Sequence, residues 1–333
     1  MDLSTRYMGL ELANPLVASA SPLSRRADGV RRLADAGVGA VVLHSLFEEQ
    51  IRREAARHAR LVDAGTESFG ESLSYFPASA GVDTGPLEYL SLVERSVASV
   101  DIPVIASLNG VTPGGWVGHA RAMQDAGAAA IELNIYYLPG ATGREVEQRH
   151  LDVLVGVKEA VEIPVAVKMS PYFSAAGEMA TRLDEAGADG LVLFNRFPLP
   201  DFDPETLVAA HEVDFSSASE SRLARMWIAL IRERVRASLG ATTGVETSAD
   251  VAKYLLAGAD VVMTASALLR HGPEYATVLL EGLSQWMVRH GFADLGAARG
   301  LLAAPPGTDE VSYERSGYVA ALRAANARSY GYW

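Results

Sequence analysis

Four segments of the chain repeat one pattern, in which an Ala-Gly pair is followed by an apolar run and then by a polar residue. The pairs are Ala36-Gly37, Ala126-Gly127, Ala186-Gly187 and Ala257-Gly258. Glycine ends a helix well because it adopts a positive φ at no steric cost, and a strand that is apolar on both faces belongs in a parallel sheet covered by helices. The pattern therefore predicts repeated helix–strand steps, with a polar residue at the carboxyl end of each strand.

Four further apolar runs complete the predicted sheet. Two of them begin after Pro103 and Pro164, and a proline at the first position of a strand loses no ladder hydrogen bond. The other two span 15–19 and 235–240, which brings the count to eight. We predict a closed (β/α)₈ TIM barrel with extended loops on its C-terminal face. An open doubly wound sheet is the alternative, but no G-x-G-x-x-G follows the first strand.

Charge and composition narrow the function classes. The chain has 333 residues, a formal net charge of −12 and no cysteine, which excludes disulfides, thiolate metal sites and a cysteine nucleophile or base. The negative charge argues against a nucleic-acid partner because no basic stripe is present. No apolar run is long enough to cross a bilayer and no signal-peptide pattern opens the chain, so we expect a cytoplasmic protein without a membrane partner.

The predicted barrel leaves two long loops and a tail. We assign residues 1–310 to the barrel and residues 311–333 to a C-terminal helical tail that packs on the barrel or on a neighbour. Segments 62–88 and 196–220 are too long for simple connections, and loops of this kind form lids, substrate walls or subunit contacts.

Lys168 ends the fifth predicted strand and is the first candidate for chemistry. A lysine that closes an apolar strand points its ammonium group into the mouth of the barrel, which is costly unless an anionic or electron-rich group lies there. It could form a Schiff base, anchor a phosphate, or stabilise negative charge on a flavin ring. An ion pair with Glu132 of the neighbouring strand is the purely structural alternative.

Glycine-rich segments follow the seventh and eighth predicted strands, at 238–247 and 262–266. Backbone N–H groups of such loops form the common phosphate site of this barrel. Thr247 and Asp250 fit helix capping instead, and one helix end can serve both purposes. The phosphate would belong to a cofactor or to a phosphorylated substrate.

Several of these segments resemble the dihydroorotate dehydrogenase family. They are 14–20, 131–134 and 165–171, together with the closing stretch 244–265, and they occur in the family's order over roughly residues 5–285. The resemblance implies a flavoprotein that binds FMN and a small-molecule substrate. It implies that the isoalloxazine contacts Ala18, Ser19, Ala20 and Ser21. It also implies that the ring's polar edge contacts Asn109, Asn134 and Lys168, and that the phosphate is held by Gly244, Val245, Thr264 and Ala265.

The chain departs from the family where the substrate should bind. Family members read Asn-x-Ser-Cys-Pro-Asn after the fourth strand, with Cys, or Ser in the membrane-associated class, as the base. This chain has Tyr136 and Tyr137 there, which we take with Lys168 as the catalytic candidates. A phenol with a pKa near 10 is a poor base at neutral pH but can protonate a carbanion.

Three further positions differ from the family. His44 stands where the soluble class often has lysine, and Asn195 is followed by Arg196 instead of a small hydroxyl residue; we keep His44 and Asn195 as cofactor-binding candidates. The family's substrate-binding asparagine loop becomes the segment 74–78. The flavin half of the predicted site is retained, whereas the dihydroorotate half is largely replaced.

We interpret the chain as a dihydroorotate dehydrogenase-like FMN oxidoreductase that acts on a CH–CH group in pyrimidine metabolism, with a divergent substrate pocket. One alternative is an aldolase in which Lys168 forms an imine with a phosphorylated substrate. Another is a flavin-binding subunit without catalytic activity. We expect a homodimer and predict no metal site, and the electron acceptor stays open.

Overall fold

The computed structural model describes residues 1–50, 86–110, 116–135, 141–196, 201–210, 214–308 and 310–329. The strands, numbered along the chain, are β1 (Thr5–Tyr7), β2 (Leu10–Leu12), β3 (Leu16–Ala18), β4 (Ala40–Val42), β5 (Leu46–Phe47), β6 (Val104–Gly110), β7 (Ala130–Ile135), β8 (Val165–Lys168), β9 (Gly190–Leu193), β10 (Asp201–Asp203), β11 (Val208–Ala210), β12 (Ser238–Ala241) and β13 (Val261–Thr264).

The helices alternate with the strands. They are α1 (Ala27–Asp35), α2 (Pro86–Val97), α3 (Trp116–Asp125), α4 (Gly143–Lys158), α5 (Ala176–Glu185), α6 (Ser221–Ile231), α7 (Ser248–Ala257), α8 (Ser266–His271), α9 (Tyr275–His290), α10 (Leu295–Ala298) and α11 (Glu310–Ser329).

Eight of the strands close into one parallel barrel. Pairing runs in chain order through β3, β4, β6, β7, β8, β9, β12 and β13, and β13 pairs with β3 to close the ring. The predicted TIM barrel is confirmed. The four Ala-Gly turns also behave as predicted, because their glycines have φ between +91° and +116°.

The strand β12 begins later than its apolar run suggests, whereas β8 begins directly after Pro164, as predicted. The run 235–240 enters the ladder only at Ser238, because the amides of Arg236 and Ala237 donate to the carboxylate of Asp184. Similarly, the amides of 162 and 163 donate to Gln124 Oε1, at 2.6 and 3.2 Å, and β8 starts at Val165. Side chains from α3 and α5, the helices that lead into the neighbouring strands β7 and β9, thus bind the backbone amides ahead of these strand entries.

The interior of the barrel is apolar at one end and polar at the other. Tyr7, Met8 and Leu12 of the β1–β2 hairpin are buried against inward-facing strand residues such as Val192 and Val261. The amide of Met8 donates to Ser238 Oγ at 2.9 Å, which places the hairpin at the amino ends of the strands. The hairpin therefore closes the N-terminal end of the barrel, and the polar positions lie towards the carboxyl ends.

The long segments are described in part. Most of the predicted loop 62–88 lies outside the described residues, and α2 already begins at Pro86. The loop after β9 contains the antiparallel β10–β11 hairpin, in which Phe202 and Leu207 are exposed. Residues 315–326 of α11 are exposed throughout. In the described part of the chain, no helix is long and apolar enough to cross a membrane.

Candidate functional site

Three predicted site residues lie at the same level on neighbouring strands. Asn109 of β6 is the register partner of Asn134 on β7, and Asn134 is the partner of Lys168 on β8. Asn134 and Lys168 are buried, whereas Asn109 is half-buried. Side chains at one level of a barrel converge on its axis, so this row places two amides and a cation at the carboxyl end of the interior.

Lys168 forms an ion pair with Glu132, which the sequence analysis gave as the purely structural alternative. Its Nζ lies 3.3 Å from Oε1 of Glu132, and the two side chains are only 8% and 1% exposed. Glu132 Oε2 is buried and has no hydrogen-bond partner among the described residues. An ion pair does not exclude a catalytic role for the lysine, because one ammonium group has three donors and this carboxylate uses one of them.

Asn134 sits above a small hydroxyl network. Its Nδ2 donates to Ser45 Oγ at 3.4 Å, and Ser45 Oγ lies 2.8 Å from Ser107 Oγ. Asn134 Oδ1 is buried without a partner in the described segments. A buried carbonyl oxygen left unsatisfied costs stability, so this atom suits a donor from a bound molecule. Neither serine was predicted, although Ser107 ends a predicted strand and Ser45 follows one.

A cavity of about 1060 Å³ opens beside Lys168. Ligand sites commonly enclose about 300–1,000 Å³, so its size suits a cofactor with room for a substrate. Nine of the thirteen predicted cofactor-binding residues line it: Ser19, Ala20, Ser21, Lys168, Asn195, Gly244, Val245, Thr264 and Ala265.

The other four cofactor candidates do not line this cavity. Asn109 and Asn134 lie in the row described above, and Ala18 is a buried residue of β3. His44 packs edge-on against Tyr89, with ring centroids 5.2 Å apart. Burial, and secondarily Arg25, lower the pKa of His44 against an opposing backbone hydrogen bond with Ser24. The catalytic candidates Tyr136 and Tyr137 lie outside the described residues.

The loop after β12 makes a tight turn that requires glycine. Thr243 and Gly244 have φ of +80° and +69°, and the amide of Gly244 donates to Ser216 Oγ at 3.1 Å. A Cβ at position 244 would lie 2.4 Å from the carbonyl oxygen of Ser217. Any side chain here would push away the segment 214–220, so the glycine keeps that segment packed on the predicted phosphate loop.

The predicted cap of α7 is confirmed. Thr247 and Asp250 form a capping box, in which Asp250 Oδ2 accepts from the amides of Glu246 and Thr247 at 3.4 and 3.0 Å. A carboxylate already occupies these amides. Backbone donors for a phosphate therefore have to come from the turn before residue 246 and from the loop after β13.

Two arginines hold the segment 214–220 in place. Arg196 Nε donates to Glu220 Oε1 at 2.8 Å, and Arg196 Nη1 donates to the carbonyl oxygen of Asp214. On the other side, Arg270 Nη2 donates to the carbonyl oxygen of Ser216 at 3.1 Å. Arg196, seen in the sequence only as a departure from the family, is thus turned towards the loop that covers the cavity.

Comparison with known proteins identifies the family of the chain. A sequence model of the family described as dihydroorotate dehydrogenase matches residues 2–287. The catalytic subunit of dihydroorotate dehydrogenase B (NAD(+)) from Methanothermobacter thermautotrophicus is 26% identical over 308 residues, covering 90% of this chain and 98% of the relative.

Other relatives carry a different name. The NAD-dependent dihydropyrimidine dehydrogenase subunit PreA of Escherichia coli K12 is 26% identical over 320 residues, covering 90% of this chain and 76% of the relative. The chloroplastic dihydropyrimidine dehydrogenase (NADP(+)) of Arabidopsis thaliana is 24% identical with the same coverage. The chain belongs to the dihydroorotate dehydrogenase family of oxidoreductases, whose members are flavoproteins that generally bind FMN.

Proposed function

We propose that this chain is an FMN-dependent oxidoreductase that acts on a CH–CH group of a small molecule. The observation that supports it most is the convergence of nine predicted cofactor residues on one cavity. This cavity combines the buried cation of Lys168, which suits an electron-rich ring, with the glycine turn at 243–244, whose backbone suits a phosphate.

The described residues fit the proposed cofactor. Asn134 Oδ1 is buried and free to accept a hydrogen bond from a ring N–H group, and Lys168 keeps two donors besides the one directed at Glu132. Ser19, Ala20 and Ser21 would contact the ring, as the family resemblance implies. The phosphate would be held by the backbone of Gly244, Val245, Thr264 and Ala265, with the Gly244 amide exchanging its present acceptor, Ser216 Oγ, for a phosphate oxygen.

FMN, when bound, supplies the hydride chemistry. Lys168 would offset negative charge at the polar edge of the ring, because a fixed cation in a dry site stabilises charge without reorganisation. Tyr137 or Tyr136 would move the substrate proton in place of the family's cysteine or serine. We propose that these tyrosines narrow the pocket, so that its ligand is flatter or more apolar than dihydroorotate.

The names of the relatives support a substrate among reduced pyrimidines, because they are dihydroorotate and dihydropyrimidine dehydrogenases. Two of them are named as subunits, which supports an electron acceptor reached through another subunit. We further propose a cytoplasmic homodimer in which residues 1–310 form the catalytic barrel and residues 311–333 a separate tail.

The absorbance spectrum of the purified protein tests the cofactor. We expect a yellow protein that releases one FMN per chain on denaturation, identified by chromatography. Recovery of FAD, or no flavin even after incubation with FMN, would contradict the proposal. A colourless protein in which borohydride reduces an imine between Lys168 and an added aldehyde, and so attaches the aldehyde covalently, would favour the aldolase. A yellow protein that no reduced pyrimidine bleaches would favour the binding subunit.

A further inference from the structure

The barrel interior holds one carboxylate close to Lys168 that the proposed reaction does not use. Glu132 lies on β7, two residues before Asn134 and on the same inward face. Resting on the proposed function, we infer that Glu132 is a positioning residue that sets how much positive charge Lys168 presents to the flavin.

The geometry couples the two charges tightly. Glu132 Oε1 lies 3.3 Å from Lys168 Nζ, and both side chains are nearly or fully shielded from water. Charges in such surroundings are screened far less than at the surface. A carboxylate at this distance cancels much of the field of the ammonium group at any atom farther away, so the lysine acts on the cofactor as a partly neutralised cation.

The charge of Glu132 also affects the pKa of two buried tyrosines. Burial chiefly raises the pKa of Tyr7, and Glu132 and Asp260 raise it further. Burial also raises the pKa of Tyr89, again with a contribution from Glu132. Because Oε2 has no partner in the described part of the chain, no second cation there shares this carboxylate. Among the described basic groups, Lys168 is therefore the one that forms an ion pair with Glu132.

The inference predicts the sign of a change in the flavin's reduction potential. Glu132→Gln keeps the size of the side chain and its acceptor oxygen for Lys168 but removes the negative charge. The reduced flavin, which carries more negative charge, should then be favoured. We expect the ratio of reduced to oxidised flavin at a fixed potential to rise about tenfold, which equals about 30 mV for a two-electron couple.

Dye-equilibrated titration of the FMN-loaded protein measures this potential, with apparent melting temperature as a separate readout. Glu88→Gln removes an exposed carboxylate on α2 and is the matched control, expected to leave the potential unchanged. Glu132→Asp withdraws the carboxylate by one methylene, and should shift the potential in the same direction by a smaller amount. It also provides the comparison if the glutamine variant does not fold.

The outcomes separate this inference from the proposed function. Wild-type protein that takes up no FMN contradicts the proposed function, and the inference falls with it. Wild-type protein that binds FMN, while both variants reduce at the wild-type potential or at a lower one, overturns the inference alone. A fall in melting temperature without a change in potential assigns Glu132 a purely structural role and likewise overturns it.

Discussion

The ammonium group of Lys168 is buried with a single carboxylate oxygen at hydrogen-bond distance. Breaking a buried pair by removing one partner costs about 3–5 kcal/mol, because the remaining charge is left unpaired. A substitution of Lys168 therefore has two effects that need separate measurements: one on folding stability and one on the cofactor.

For Lys168→Ala we expect weaker FMN binding or a lower flavin reduction potential, with the fold retained at a reduced melting temperature. The reason is the loss of a cation beside developing negative charge, worth on the order of several kcal/mol in a dry site. Fluorescence titration with FMN and circular dichroism measure the two effects. Wild-type affinity, potential and turnover in this variant would remove Lys168 from the site.

At the residue scale, the family resemblance predicted that Asn109, Asn134 and Lys168 contact one edge of the ring, and the structure places them in register on neighbouring strands. The sequence did not predict the orientation of His44, which packs on Tyr89 instead of lining the cavity. Whether a residue just after a strand turns inwards or outwards depends on the helix that covers it. That contact joins positions distant in the chain and leaves no local pattern.

Among the larger elements, the segment 214–220 is the last part of the connection between β9 and α6 and packs on the glycine turn after β12. It is fastened by an ion pair between Arg196 and Glu220, whose side chains are 36% and 37% exposed. Half-exposed pairs contribute about 0–1 kcal/mol, so loss of this pair should loosen the segment without unfolding the barrel.

We therefore expect Arg196→Ala to raise the dissociation rate of FMN by about two- to fivefold, which corresponds to at most about 1 kcal/mol. The flavin potential should stay unchanged, because Arg196 is directed at Glu220 and the backbone of Asp214. Stopped-flow fluorescence of FMN release measures the rate. Arg31→Ala, an exposed arginine on α1, serves as the control. An unchanged rate in Arg196→Ala would show that the segment does not retain the cofactor.

The elements themselves were more predictable than this loop. Ala-Gly turns and apolar runs mark the strands because the backbone requirement and the burial are both local. The entry of β12 was less predictable, since the carboxylate of Asp184 captures the amides before this strand from another element. Arg196 stood out in the sequence as a departure from the family. Its partner Glu220 could not be predicted, because no local pattern indicates the path of the loop that joins them.

For the molecule as a whole, family membership and local sequence point to different substrates. The relatives include enzymes named for dihydroorotate, whereas this chain has Tyr136 and Tyr137 in place of the segment that carries the family's base. A reaction that removes a proton from dihydroorotate needs a base whose pKa is near neutral. A phenol does not meet that requirement without a cation close by.

We expect dihydroorotate to be a poor substrate or none. Anaerobic mixing of the FMN-loaded protein with dihydroorotate should leave the flavin oxidised for minutes, as followed by its visible absorbance. Dithionite, which reduces flavins directly, controls for a reducible cofactor. Rapid bleaching by dihydroorotate that disappears in Tyr137→Phe would instead establish the tyrosine as the base of a true dihydroorotate dehydrogenase.

The β1–β2 hairpin closes the N-terminal end of the barrel. Tyr7, Met8 and Leu12 fill the amino-terminal end, so the pair formed by Lys168 and Glu132 has a closed wall on that side. A molecule that binds beside this pair consequently enters and leaves from the carboxyl ends of the strands. Among the described residues, a substrate and a small diffusible oxidant would both have to reach this pair from the carboxyl ends of the strands, and would therefore compete for the same space.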